Sequence, residues 1–95
     1  MTSAPAEMTA RLEALATQLA VHGWAARLDA PPGRVPSLHA RNPAPGAAAL
    51  SEHIYAQPGA DGTWRYWWPW AEPIAEAAAE AAAVIVRVLR PAGTP

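Results

Sequence analysis

The chain has 95 residues, a length that suits one domain with a modest core rather than two domains. Its 52% hydrophobic residues argue against a disordered chain, and the absence of cysteine excludes disulfide scaffolds, thiolate metal sites and cysteine nucleophiles. Seven arginines, no lysine and eight acidic residues give a net charge of −1, which disfavours a dedicated polyanion-binding protein. We therefore expect a single domain over residues 1–95, with an ordered core of about 6–90 and frayed ends.

The sequence carries no recognisable targeting segment. The first twenty residues contain two glutamates and no basic cluster before an apolar run, so a secretory signal is not expected. The longest strongly apolar stretch, residues 81–86, is far shorter than the ~20 residues that a membrane-spanning helix needs. These features predict a cytoplasmic protein that has no membrane partner.

The first predicted element is an amphipathic helix from Ala6 to His22. Its large apolar residues recur every three or four positions, which places them on one stripe: Met8, Leu12, Leu15 and Leu19. Gly23 then supplies the left-handed residue that ends such a helix.

Four short strands follow, each indicated by alternating apolar and polar residues. They cover residues 24–29, 37–41, 50–56 and 63–68. The turn at 31–33 joins the first two strands, and Pro58-Gly59-Ala60-Asp61-Gly62 is the strongest hairpin signal in the chain. Residues 43–49 form a connection rich in proline, glycine and alanine, with room for a helical turn.

The last predicted element is a helix from Glu72 to about Arg90, with Pro73 in its first turn. Its apolar residues keep a helical spacing, and acids near its start and arginines near its end suit the helix dipole. The β-branched residues at 84–88 leave a strand as the alternative there.

This order of elements predicts a two-layer α+β domain. Every strand connection is too short for a parallel crossover, so the four strands are expected to form an antiparallel meander. Both helices are expected to cover the same face of that sheet.

Strand alternation also assigns side chains to the two faces. The face toward the helices is expected to collect Trp24, Ala26, Leu28, Leu38, Ala40 and Ile54, with either Trp64, Tyr66 and Trp68 or their neighbours. The opposite face, here termed the open face, collects Arg27, Asp29, His39, Arg41, His53, Tyr55, Arg65 and Trp67.

The open face is the predicted partner surface, because arginine and aromatic residues are enriched at interaction hot spots. The predicted binding residues are Arg27, His39, Arg41, His53, Tyr55, Arg65, Trp67 and Trp70. A solvated sheet surface without a binding role is the alternative.

The Trp-rich segment 64–70 has two interpretations, since a strand cannot turn all of its aromatic residues to one side. These side chains either fill a core that is otherwise rich in alanine, or they form part of a partner surface. Stacking on the bases of a single-stranded nucleic acid is a third alternative, which the net charge disfavours.

The same segment carries a resemblance. Gly23-Trp24, Arg41-Asn42-Pro43, the run from Gly62 to Trp70 and Pro73-Ile74 together resemble a group of small uncharacterised Trp-rich proteins of high-GC bacteria. The resemblance covers nearly the whole chain and implies an order of elements, but no chemistry.

No catalytic or metal-binding constellation is expected. Ser51 and His53 share a strand face, but residues two apart on a strand are roughly 6.5–7 Å apart, and no nucleophile elbow is present. His39 and His53 with Asp29 are a weak candidate for metal ligands, because a histidine pair on a sheet is more often solvated. No turn matches a phosphate-binding or dinucleotide-binding loop, so no cofactor is expected.

These observations predict a small non-catalytic protein-interaction or adaptor domain that uses the open face. Its partner is expected to be another protein or a second copy of the chain, rather than nucleic acid. The alternative function is a small-ligand binding module whose pocket lies between the turn at 67–70 and the helices.

Overall fold

In the computed structural model, which describes residues 4–42 and 51–89, the chain runs through two helices and five strands. The elements are α1 (Ala4–Val21), β1 (Ala25–Asp29), β2 (Ser37–Arg41), β3 (Ser51–Pro58), β4 (Trp64–Trp67), β5 (Pro73–Ala75) and α2 (Ala78–Val88). The predictions for the 43–49 connection, for residue 50 and for both chain ends lie outside the described residues.

The strands form one antiparallel sheet in the order β1-β2-β3-β4-β5, so each strand pairs with its neighbour along the chain. Leu28, Leu38 and Ile54 lie opposite one another across β1, β2 and β3, which keeps their side chains on one face. Gly62 at φ +81° closes the β3–β4 hairpin in the left-handed region, which glycine adopts without strain. The predicted antiparallel meander is confirmed.

The structure adds a fifth strand where the start of the last helix was predicted. The chain reverses in a turn closed by the hydrogen bond from the Ala71 N–H to the Trp68 carbonyl, and β5 then runs back along β4. Pro73 is tolerated in β5 because this strand lies at the sheet edge, where a missing N–H breaks no ladder. The predicted helix start at Glu72 is wrong, because α2 begins at Ala78.

Both helices lie on one face of the sheet and pack against each other there. A single core joins Leu12, Leu15 and Leu19 of α1, Leu38, Ala40, Ile54, Ala56, Tyr66 and Trp68 of the sheet segment, and Ala81, Ala82 and Ile85 of α2. This arrangement confirms the predicted two-layer α+β architecture. Neither α1 nor α2 is long and apolar enough to cross a membrane.

Two polar contacts fasten the helices to the sheet. The Tyr66 hydroxyl donates a hydrogen bond to the Arg11 carbonyl of α1 at 2.6 Å, and burial raises the pKa of this phenol. The Asn42 side-chain amide, just after β2, donates to the Leu89 carbonyl at the end of α2 at 2.8 Å. Because Tyr66 and Asn42 are both buried, these hydrogen bonds help to satisfy polar groups in the core.

The aromatic residues of the Trp-rich segment divide between the two sides. Tyr66 and Trp68 are buried in the core, and Trp64 is half-buried against it with the Arg11 guanidinium 4.8 Å above its ring. Trp67 lies on the opposite side, paired with Tyr55 of β3. Of the two assignments that the sequence left open, Trp64, Tyr66 and Trp68 are therefore the residues that meet the helices.

Candidate functional site

Basic side chains gather on the open face across β1, β2 and β3. Arg27, His39 and His53 lie opposite one another in register, and the two imidazole rings stack with centroids 4.7 Å apart. Together with Asp29 they line an open cavity of about 200 Å³, which we term the histidine cavity. A guanidinium and two imidazoles can donate hydrogen bonds to a carboxylate, whereas the Asp29 carboxylate in the same lining repels one. A small anionic group would therefore bind on the side of Arg27 and the histidines.

His53 is held in place by a residue that the sequence interpretation missed. Ser37 Oγ lies 3.3 Å from His53 Nδ1, so one ring nitrogen is used inside the protein. Ser37 lies on β2, diagonally across from His53 of β3. This proximity can be inferred only when the β2–β3 register is known. Ser37 is only 6% exposed, so this pair orients the imidazole and does not present a nucleophile to solvent.

The structure also bears on the candidate metal ligands His39, His53 and Asp29. Within residues 4–42 and 51–89, no three histidine, aspartate or glutamate side chains are arranged to hold a metal ion. Instead, His39 and His53 contact each other face to face, with 16° between their ring planes.

A second concave region lies beside the histidine cavity, toward β4. Tyr55 and Trp67 form a cross-strand pair, and the Trp67 Nε1–H donates a hydrogen bond to the Gln57 carbonyl at 2.9 Å. They contribute to a groove of about 380 Å³, termed the aromatic groove, whose lining residues are Tyr55, Gln57, Pro58, Gly59, Ala60, Trp67, Trp68, Pro69 and Ala71. Because its ring nitrogen is held by the backbone of β3, the Trp67 indole is fixed in orientation before any ligand arrives.

The aromatic groove differs in position from the pocket of the alternative prediction. That pocket was expected between the turn at 67–70 and the helices. The groove is lined by β3, by the β3–β4 hairpin and by the segment from Trp67 to Ala71, and no residue of α1 or α2 contributes to it. The helices approach the other side of the sheet, which is why they cannot form a wall of this groove.

The two concave regions lie next to each other on the open face. His53 and Tyr55 are two residues apart on β3 and therefore point to the same side, roughly 6.5–7 Å apart along the strand. A single ligand of peptide size would therefore contact both regions at once.

Arg41 extends the same face at the far end of β2, opposite Ala25 and Ser51. Neither Arg41 nor Arg27 forms an ion pair with any residue of the described segments. Both residues are exposed, so their guanidinium groups are available to a partner.

Trp70 is the predicted surface residue that the structure does not bring to the others. It follows β4 and stacks on Trp68, with ring centroids 5.2 Å apart and 6° between the planes. Its Nε1–H donates to the Glu72 carboxylate at 2.9 Å. Trp70 was predicted to form part of the partner surface because of its place in the Trp-rich run. It lies beyond the end of β4 at Trp67, so strand alternation does not place it on the open face, and its binding role stays a prediction.

Arg65 lies on β4 opposite Gln57, but its charge is already paired. Its Nη1 and Nη2 donate to the two carboxylate oxygens of Asp61 at 3.0 and 3.1 Å, and the Thr63 N–H also donates to Asp61. This ion pair orients the Arg65 side chain within the β3–β4 hairpin, and a role of Arg65 in partner binding stays a prediction.

The Asp61–Arg65 pair is expected to make stability depend on acidic pH. The Arg65 guanidinium, with the Thr63 N–H, holds the pKa of Asp61 well below its usual range. The stabilisation by this ion pair is therefore fully present above the pKa of Asp61 in the unfolded chain, about 3.9. It is lost as the pH falls toward the lowered pKa of Asp61 in the folded protein. Urea unfolding of the wild type and Asp61→Asn between pH 2 and 7 checks this, and a stability difference that does not shrink in acid would contradict it.

Comparisons of this chain with protein-family models, with curated proteins and with solved structures find no match. The resemblance to small Trp-rich proteins of high-GC bacteria therefore stays a prediction from the sequence.

Proposed function

We propose that the chain is a non-catalytic protein-interaction domain of the cytoplasm that binds its partner through the open face. The observation that carries this proposal is that the histidine cavity and the aromatic groove lie next to each other on a face that neither helix covers. Arg27 lines the histidine cavity and Arg41 lies at the far end of β2, and neither forms an ion pair with another of the residues that the structure describes.

The chemistry of the surface favours a protein segment with a carboxylate next to a large apolar side chain. The carboxylate would accept hydrogen bonds in the histidine cavity, where Arg27 supplies a permanent positive charge. The apolar side chain would pack between Tyr55 and Trp67, and residues of these types contribute most to binding at protein interfaces. A net charge of −1 and the absence of lysine disfavour a nucleic acid as the partner.

The proposal that the domain is non-catalytic follows from the arrangement of its polar groups. Ser37 is next to His53 but is enclosed, and Tyr55 and Trp67 contribute binding area rather than a general base. General acid–base chemistry requires a titrating group within hydrogen-bond reach of an admitted substrate, and Asp29, His39 and His53 are the groups of that kind that line the histidine cavity. Their stacking on each other supports a role in binding.

The test compares protein capture by the full wild-type chain with capture by two open-face variants, Arg41→Glu and Tyr55→Ala. Arg87→Glu is the matched control, because Arg87 is an exposed arginine on α2, in the other layer. A partner retained by the wild type and the control should be lost by both variants, with purified-partner affinity lowered about tenfold or more. All four proteins should melt cooperatively at similar temperatures.

Two results would contradict the proposal. One is equal retention of every captured protein by the wild type and the open-face variants. The other is unfolding of Arg41→Glu and Tyr55→Ala, which would place these residues in the structural core instead of on a binding surface.

Binding of a small apolar ligand in the aromatic groove is the second candidate function, and the size of that groove favours it. Arg41 does not line the groove, so a ligand there would be unaffected by Arg41→Glu and lost with Tyr55→Ala. A small-molecule panel monitored by tryptophan fluorescence and melting temperature therefore separates the two candidates.

A further inference from the structure

Strand β1 is at one edge of the sheet that the described residues form. It pairs with β2 alone, and within the described residues no backbone hydrogen bond joins Ala25–Asp29 to any other element. Natural proteins commonly protect such an edge with a short strand, charged side chains, proline or a bulge. The sequence of β1 contains no proline, its register with β2 is regular, and its two charges are of opposite sign, so they do not exclude a strand that carries the complementary charges. The edge is therefore able to accept another strand.

The side chains of β1 are complementary to a second copy of the same strand. Arg27 and Asp29 are exposed, lie on the same side of the strand and carry opposite charges. In an antiparallel pair related by a two-fold axis at Leu28, Arg27 of each copy lies opposite Asp29 of the other. Such cross-strand ion pairs are favourable, whereas an axis at Arg27 or at Asp29 would bring like charges together.

The exposed apolar side chains near this edge fit the same arrangement. Val21 is 75% exposed at the end of α1, shortly before β1, and Val35 is 48% exposed in the turn after it. Antiparallel pairing brings the start of β1 in one copy beside the end of β1 in the other. Each Val21 would then lie near Val35 of the second copy, which removes apolar surface from water at both ends of the interface.

We propose that two copies of the chain associate through their β1 edges, in the register with Leu28 opposite Leu28, to form one continuous ten-stranded sheet. Both open faces then lie on the same side of that sheet, since the two-fold axis is perpendicular to it. The interface is small and partly charged, so the dimer is weak, dependent on concentration and weakened by salt. This dimer does not depend on the proposed partner binding.

The test is sedimentation equilibrium of the full chain over a wide range of concentrations. Arg27→Asp and Asp29→Arg each place like charges opposite one another, and each should raise the dimer dissociation constant about tenfold or more. The double variant Arg27→Asp/Asp29→Arg restores opposite charges in the same register and should return the dissociation constant to near the wild-type value. Arg87→Asp, on α2, is the control for net charge and should leave association unchanged.

A wild-type chain that stays monomeric up to millimolar concentration would overturn the proposal. So would a double variant no better associated than the single variants, because the ion pairs would then not be the contacts between copies. Circular dichroism of each variant establishes that it is folded, as expected for exposed residues. The failure of this proposal leaves the capture experiment with Arg41→Glu and Tyr55→Ala unaffected, so the two proposals fail separately.

Discussion

Replacing Trp68 by alanine is expected to lower the free energy of unfolding by about 3–5 kcal/mol, as for other buried aromatic residues. Replacing Trp70 by alanine is expected to lower it by less than about 1 kcal/mol. The two indoles stack on each other, but Trp68 is 5% exposed and Trp70 is 56% exposed. Only the first substitution leaves a cavity beside the core.

Urea unfolding followed by far-UV circular dichroism measures both free energies. Because a domain of this size has a total stability of about 5–15 kcal/mol, Trp68→Ala risks complete unfolding. Trp68→Phe keeps much of the volume and gives a measurable intermediate loss. Equal effects of the alanine substitutions at 68 and 70 would contradict the core assignment and would move Trp68 to the candidate binding surface.

Replacing Leu38 by alanine is expected to lower the free energy of unfolding by about 2–5 kcal/mol, and replacing the adjacent His39 by less than about 1 kcal/mol. Leu38 is fully buried on β2, with Leu28 and Ile54 opposite it in the core. His39 points to the open face and contacts His53. Comparing the substitutions of these two neighbouring residues therefore tests which face of the sheet the helices cover.

The measurement is again urea unfolding, with Leu38→Met as a variant that keeps the side-chain volume and should lose less than about 1.5 kcal/mol. Comparable losses for Leu38→Ala and His39→Ala would mean that a layer also covers the open face. That result would end the proposal of a partner surface there, since His39 and His53 would then belong to an interior.

The architecture was predictable because local sequence patterns indicate three of its features: the helix α1, the strands and their antiparallel pairing. The spacing of Leu12, Leu15 and Leu19 matches the helical period, and all three are buried in α1. The alternation in β1 and β2 matches the strand period, and the short connections exclude parallel pairing. These sequence patterns match the structure because each of these elements buries one face. The buried positions therefore recur with the same period as the hydrophobic residues.

The strand β5 was not predictable in the same way. The reversal that precedes it places Ala71 at φ +67°, a left-handed conformation for which the usual sequence signal is glycine or asparagine. Residues 73–75 are too few to display an alternating pattern. The alanine-rich residues that follow have strong helix propensity, which favoured extending the helix back to Glu72.

For the candidate site, alternation predicted which side chains share the open face but not what each of them contacts. The sheet face to which the Arg65 side chain points follows from its position in β4. Its ion pair with Asp61 instead depends on the conformation of the hairpin loop. The contact between Ser37 and His53 depends on the register of β2 and β3, which the sequence of their connection does not define. Trp70 is beyond the end of its strand, where alternation no longer applies.

The packing of α1 against α2 has a consequence for the order of folding. Each strand of the sheet pairs with its nearest neighbour along the chain, so the hairpins close short loops. The two helices contact each other on one face of the sheet, but the five strands lie between them in the sequence. The entropy of closing so long a loop makes this contact slower to form. We therefore expect hairpin pairing to precede helix–helix docking, which leaves the apolar side of the meander transiently exposed to water and to other chains during folding.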